Sequence, residues 1–178
     1  MAETVEEYKK RILDHVGQDD PVKVQAATPK KIERLIRGVS TAKLKKRPAP
    51  DKWSVAEVLA HLADSEIVSG YRMRMTLGAP GTAIQAYNQD DWERSGHYAE
   101  RDPRKSFEQF RVVRETNLAL LKLLTPEQWK HYGVHSERGE ESIEKLVRMI
   151  AGHDVNHVKQ IEKILSGAAH KSKKLNHR

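Results

Sequence analysis

Val5, Tyr8, Ile12 and Val16 recur at helical spacing, and Gly17 follows as a stop. They predict a short helix packed alongside the next one. Asp20-Pro21 reads as an N-cap with proline at the first helical position and predicts a single turn. Thr28-Pro29 repeats that signal. Ile32, Leu35, Ile36 and Val39 then form an apolar stripe, which places a first long helix at about Thr28 to Ser40. Lys43 to Asp51, with Pro48 and Pro50, reads as a linker.

The clearest start signal is Trp53-Ser54-Val55-Ala56-Glu57-Val58. Ser54 is an N-cap, Glu57 completes a capping box, and Trp53 and Val58 occupy the staple positions. The second helix should run from about Val55 to Leu77. Val55, Val58, Leu59, Leu62 and Met73 set its core arc, and His61, Ser65, Glu66, Ser69 and Arg72 fall on that arc or its edge. A face that turns from apolar to polar predicts either a lined cavity or an exposed helix end.

Gly78 to Asp102 is a connection of roughly 25 residues, long enough to cover a site or cross the fold. Asp102-Pro103 caps a third helix, about Arg104 to Leu124, with inner positions Phe107, Phe110, Arg114, Leu118 and Leu121. Arg114, in mid-stripe, either pairs with a buried carboxylate such as Glu66 or Asp154 or snorkels outward. Thr125-Pro126-Glu127-Gln128 starts a short turn. Trp129 to Glu140 has no period, and Gly133 between His131 and His135 argues against a helical ligand pair; His135 is a candidate for the mouth of a site. A fourth helix runs from about Ser142 to Ser166. Its inner face carries Ile143, Leu146, Val147, Ile150, Ile161, Ile164 and Leu165 with Asp154 and His157, and His153 lies at the edge.

The 178 residues suit one domain, taken as 1–167, with a basic tail at 168–178. There is no cysteine, which removes disulfides, thiolate ligands and a cysteine nucleophile. The net charge of +7 is concentrated in Lys43–Arg47 and Lys171–Arg178. Aromatic residues are not interleaved with those runs, so nucleic-acid binding is not expected. No apolar run is long enough to span a membrane, and the first residues lack a signal-peptide layout. A cytoplasmic location is therefore expected.

His153 and His157 stand four apart and share a helix face, where they can close on one metal. His61 lies about 10 Å along its helix from the start, and the pair about 14–20 Å from the end of theirs. If those two helices are antiparallel, all three rings reach similar depth. The long connection can supply the crossover this requires. The expected fold is all-α, a four-helix bundle ordered up-down-down-up. Three imidazoles leave open positions on a metal, the pattern of a catalytic site. Such a metal could lower the pKa of a bound water to about 7, hold a thiolate or polarise a carbonyl. Asp154, Glu57 and Asp64 are candidates to orient the rings.

Trp53 to Glu66, read WSVAEVLAHLADSE, together with Ala151-Gly152-His153-Asp154-Val155-Asn156-His157, resembles the DinB/YfiT-like superfamily. The resemblance implies a crossover four-helix bundle, a three-histidine site for zinc, nickel, manganese or iron, and a homodimer. It carries the metal ligands to His61, His153 and His157. Asp64, Glu66, Asp154 and Arg72 stand where such sequences often have these residues. Some members resemble S-transferases that use a low-molecular-weight thiol, others resemble thiol-dependent isomerases, and some are described as hydrolases. The expected function is a metal-dependent thiol S-transferase acting on small electrophiles, with Arg72 and Arg114 as candidate binders of an anionic thiol. The alternatives are a hydrolase using metal-bound hydroxide and a non-catalytic, metal-binding stress-response bundle.

Overall fold

A computed structural model describes residues 3–167, so the expected basic tail lies outside the described residues. In chain order the elements are α1 (Val5–Val16), α2 (Pro21–Ile36), α3 (Thr41–Lys45), α4 (Val55–Gly78), β1 (Ala83–Ile84) and α5 (Gln89–Ser95). They continue with α6 (Pro103–Leu121), α7 (Pro126–Lys130), β2 (Tyr132–His135), β3 (Gly139–Ser142) and α8 (Ile143–Leu165).

The long helices α2, α4, α6 and α8 form the bundle, and shared neighbours fix their directions. At one end Val58, Leu59 and Leu62 of α4 pack with Ile32 and Ile36, Phe107 and Phe110, and Val158 and Ile161. At the other, Met73 packs with Leu121 and with Ile143, Leu146, Val147 and Ile150. Residue numbers rise together along α4 and α6 and fall along α8. Gln25 of α2 donates to the Val147 carbonyl at 2.7 Å, so α2 runs with α8. The order is up-down-down-up, as expected, and the segment between α4 and α6 makes the crossover.

Helix α2 departs from the expected Thr28–Ser40. Asp20 opens the whole helix rather than one turn, accepting from the Val22 and Lys23 amides. Thr28 is not a cap: its hydroxyl donates to the Val24 carbonyl at 3.0 Å. Pro29 lies inside the helix. It has no N–H for the carbonyl of Gln25 four residues back, and that carbonyl accepts instead from Arg114 Nη1 at 3.1 Å. A tertiary partner thus replaces the lost helical bond. Ser40, the expected end of that helix, instead caps the short α3, which runs into the expected linker and buries Leu44.

The capping box predicted at Ser54 and Glu57 is present. Arg47 pairs with both Glu57 and Glu93, tying the segment before α4 to the crossover. The unpatterned stretch after α7 is a β-hairpin: β2 pairs antiparallel with β3, and β1 from the crossover adds in parallel. Gly133 permits this packing, because a Cβ there would meet Ile84 Cδ1 at 2.3 Å and Thr76 Oγ1 at 2.9 Å. Helix α1 crosses α8 just as closely, since a Cβ on Gly152 would lie 2.0 Å from the Ile12 carbonyl oxygen. Among the described residues no helix is long and apolar enough to cross a membrane.

Candidate metal centre

The two apolar ends of the bundle are separated by a polar layer that all four long helices contribute to. Arg114, 1% exposed, is its hub. Its guanidinium pairs with both Asp154 oxygens, Nη2 lying 3.0 Å from Oδ1, and with Glu66 Oε2 at 2.7 Å. Asn117 donates to Glu66 Oε1 at 2.8 Å. Burial opposes the Arg114 charge, but Asp154 and Glu66 more than offset this and hold its pKa above the usual arginine value. For Asp154 burial prevails and raises the pKa despite Arg114. The sequence left Arg114 between an internal pair and an outward reach; the structure has the internal pairs, which occupy the charge expected to meet an anionic thiol.

The histidines lie beside this layer, one turn or so toward the apolar end. His61 of α4 faces His153 and His157 of α8. His153 Nε2 is 2.9 Å from His61 Nε2 and 3.1 Å from His157 Nε2. One ligand atom from each ring falls within 4.8 Å of the other two. His61 and His157 are 2% and 7% exposed. Burial lowers the pKa of all three: His157 to about 4, and His61 and His153 well below the ordinary histidine value, with neighbouring histidines adding to the effect on the latter two. The rings are therefore neutral near pH 7. His157 Nδ1 lies 2.8 Å from Gln160 Oε1. An amide oxygen only accepts, so Nδ1 carries the proton and Nε2 presents its lone pair inward. Trp53 packs on His61 with ring centroids 5.1 Å apart.

Three ring nitrogens turned toward one point suit a metal cation better than they suit each other, since neutral imidazoles have only one N–H apiece. The cluster opens onto a cavity of about 350 Å³ lined by His61, His153, Ser65, Ser69, Arg72 and Tyr87 among others. Ser65 Oγ is 3.4 Å from His61 Nε2 and 3.0 Å from the Tyr87 hydroxyl. The polar face of α4 is thus a lined cavity rather than an exposed helix end.

The other candidates separate clearly. Asp64 pairs with Arg101 at 2.9 Å, and Glu57 serves the cap and Arg47. Glu66 and Asp154 line the cavity but are held by Arg114. His97 pairs with exposed Glu100, and His131 ends α7. His135 is buried in β2 behind the mouth. Sequence reasoning missed Gln160 and Tyr87. Gln160 stands three residues after His157, a spacing that shares a helix face and could have revealed it. Nothing in the crossover sequence marks Tyr87.

The family model for the DinB superfamily matches residues 26–161. The chain belongs to the DinB superfamily. Two DinB-like relatives bear the name "Putative metal-dependent hydrolase". YfiT of Bacillus subtilis is 25% identical over 89% of this chain and 90% of that protein. BH0277 of Halalkalibacterium halodurans is 23% identical over 81% of this chain and 84% of that protein. The solved structure of B. subtilis YfiT, described as having an unusual four-helix bundle topology, aligns with a TM-score of 0.75 at 22% identity, covering 92% of this chain and 88% of that one. That likeness concerns the fold.

Proposed function

We propose that His61, His153 and His157 hold one divalent metal ion and that the cavity above them is the active site of a thiol S-transferase acting on small electrophiles. The observation that carries this is the convergence of three neutral ring nitrogens, with His61 and His153 lining the cavity. Zn–N bonds of about 2.0–2.1 Å in tetrahedral geometry place ligand nitrogens about 3.3 Å apart, close to two of the separations here, 2.9 and 3.1 Å, with all three nitrogens within 4.8 Å of one another. Imidazole ligands suit zinc, nickel, copper or iron. When bound, the ion supplies a Lewis acid that favours a deprotonated nucleophile near neutral pH.

The chain's own residues do the rest. Gln160 holds the His157 tautomer. Trp53 walls off one side of His61. The Ser65 and Tyr87 hydroxyls offer hydrogen bonds to a substrate beside the triad. The carboxylates sharing the cavity floor, Glu66 and Asp154, are engaged by Arg114. A nucleophile that ionises readily by itself, such as a thiol with a pKa near 8.5, suits a floor without a free base. In the transfer, sulfur forms a bond to the electrophilic carbon, the leaving group departs with its bonding pair, and the thiol proton passes to solvent.

The second reading is hydrolysis by an activated water, which the names of the relatives favour. One assay separates the two. Metal-loaded protein is offered aryl halides, epoxides and activated esters, with and without a low-molecular-weight thiol, beside His61→Ala. Conjugate formation that needs both the thiol and His61 supports transfer. Turnover without thiol establishes hydrolysis in its place.

A further inference from the structure

Arg72 lies eleven residues beyond His61 on α4, about 16 Å of axial rise, and lines the same cavity. Helical side chains lean toward the helix N-terminus, which brings its guanidinium back toward the triad. Nη2 donates to the Gln85 carbonyl at 2.6 Å, and the group sits 5.6 Å from the centroid of the Tyr87 ring. The other arginines lining this cavity have carboxylates. Arg114 has Glu66 and Asp154, and Arg138 binds Glu141 through two bonds of 2.7 and 2.8 Å. Among the described residues Arg72 makes no ion pair with a carboxylate, although Glu137 lines the cavity too.

Arg72 feels the charges of Glu137 and Glu141 but pairs with neither. Burial lowers its pKa, and Arg138 adds to the effect, more than Glu141 and Glu137 offset. His135, 2% exposed, is close enough to both guanidinium groups for them to depress its pKa after burial has done so. Its Nδ1 accepts the Glu137 amide at 3.2 Å, so the neutral ring carries its proton on Nε2, and that buried nitrogen has no partner. Arg72 and Arg138 thus both line the cavity, with His135 buried near them.

We propose that Arg72 anchors an oxyanion on the substrate or thiol, so that the molecule turned over is extended, with a carboxylate or phosphate at Arg72 and its reacting atom at the triad. A guanidinium fork matches such groups with paired hydrogen bonds. The proposal deepens the reading of the triad as the reacting centre, but its test does not depend on that reading.

The test is an NMR titration of the full chain at constant ionic strength with succinate, inorganic phosphate and the neutral control succinamide, following the arginine Nε–H and backbone amide signals. Saturable shifts at Arg72, Ser69 and Tyr87 with succinate or phosphate, and none with succinamide, are expected. The tighter of the two anions tells carboxylate from phosphate. Arg72→Gln should weaken binding at least about tenfold, the loss expected for a charge-assisted pair, and Arg72→Lys should retain part of it. Binding should persist in metal-free His61→Ala, which separates this site from the triad. Equal responses to succinate and succinamide in the wild type would overturn the proposal whether or not the variants fold. So would undiminished succinate binding in folded Arg72→Gln.

Discussion

Two polar clusters share helices α4 and α8, and they differ in how their groups are partnered. In the Arg114 cluster a cation meets two carboxylates, with Asn117 and the Gln25 carbonyl filling further bonds. In the histidine cluster three like groups, the ring nitrogens of His61, His153 and His157, face one another. His153 and Asp154 are adjacent in sequence, yet the helix turns them toward opposite tasks. A polar group satisfied by its neighbours holds the bundle together; one whose bonding capacity converges on a shared point is prepared to bind something. The difference is read from partners.

The largest effect should come from breaking the Arg114 cluster. Arg114→Met leaves Glu66 and Asp154 buried together without a counter-charge and should cost about 3–5 kcal/mol, measured by urea unfolding of the metal-free protein. A loss below about 1 kcal/mol would mean that the layer is far more hydrated than its burial implies. His157→Ala in the same assay should cost much less, because it removes a neutral group.

Acid should come next. The pKa of His135 falls from the model-compound value of 6.5 to about 4 in the fold, so between those values the unfolded chain binds the extra proton. Stability is therefore full above about pH 6.5 and falls as the pH drops toward 4, by up to about 3 kcal/mol from this residue alone. His157, also pushed down to about 4, acts in the same direction. Urea midpoints measured between pH 7 and 4.5 check this, and His135→Phe should flatten part of the slope.

The smallest effect sharpens the distinction between holding the fold and holding a ligand. Gln160→Leu removes the acceptor for His157 Nδ1 and should weaken metal affinity about 10–100-fold. Stability of the metal-free protein should move by less than about 1 kcal/mol. Competition with a chromogenic chelator reads the first quantity and urea unfolding the second.

How much of this the sequence disclosed depends on whether the signal was local. The Ser54–Glu57 box fixed the start of α4, and helical spacing brought His61, His153 and His157 onto facing sides of two helices. The long connection correctly announced the crossover. Helix α2 was misplaced because Pro29 looks like a start, while what permits it inside the helix is Arg114, distant in sequence and bonded to the freed Gln25 carbonyl. The β-hairpin was invisible because its strands are four residues long and lean on α4 through Gly133. Arg114, in an apolar stripe, and Arg72, on a polar arc, are both candidate anion binders in the sequence. Only the fold shows that one is enclosed by carboxylates and the other meets a backbone carbonyl and Tyr87.

The central claim is that the histidine cluster is a metal site, and metal content tests it most directly. Protein purified without a metal-binding tag, wild type beside His157→Ala, is incubated with zinc, nickel, manganese or iron, desalted and subjected to elemental analysis. About one metal ion per chain in the wild type, and little in a folded His157→Ala variant, is the predicted result. A wild type that stays empty with every metal, or a variant that retains as much as the wild type, would contradict the account.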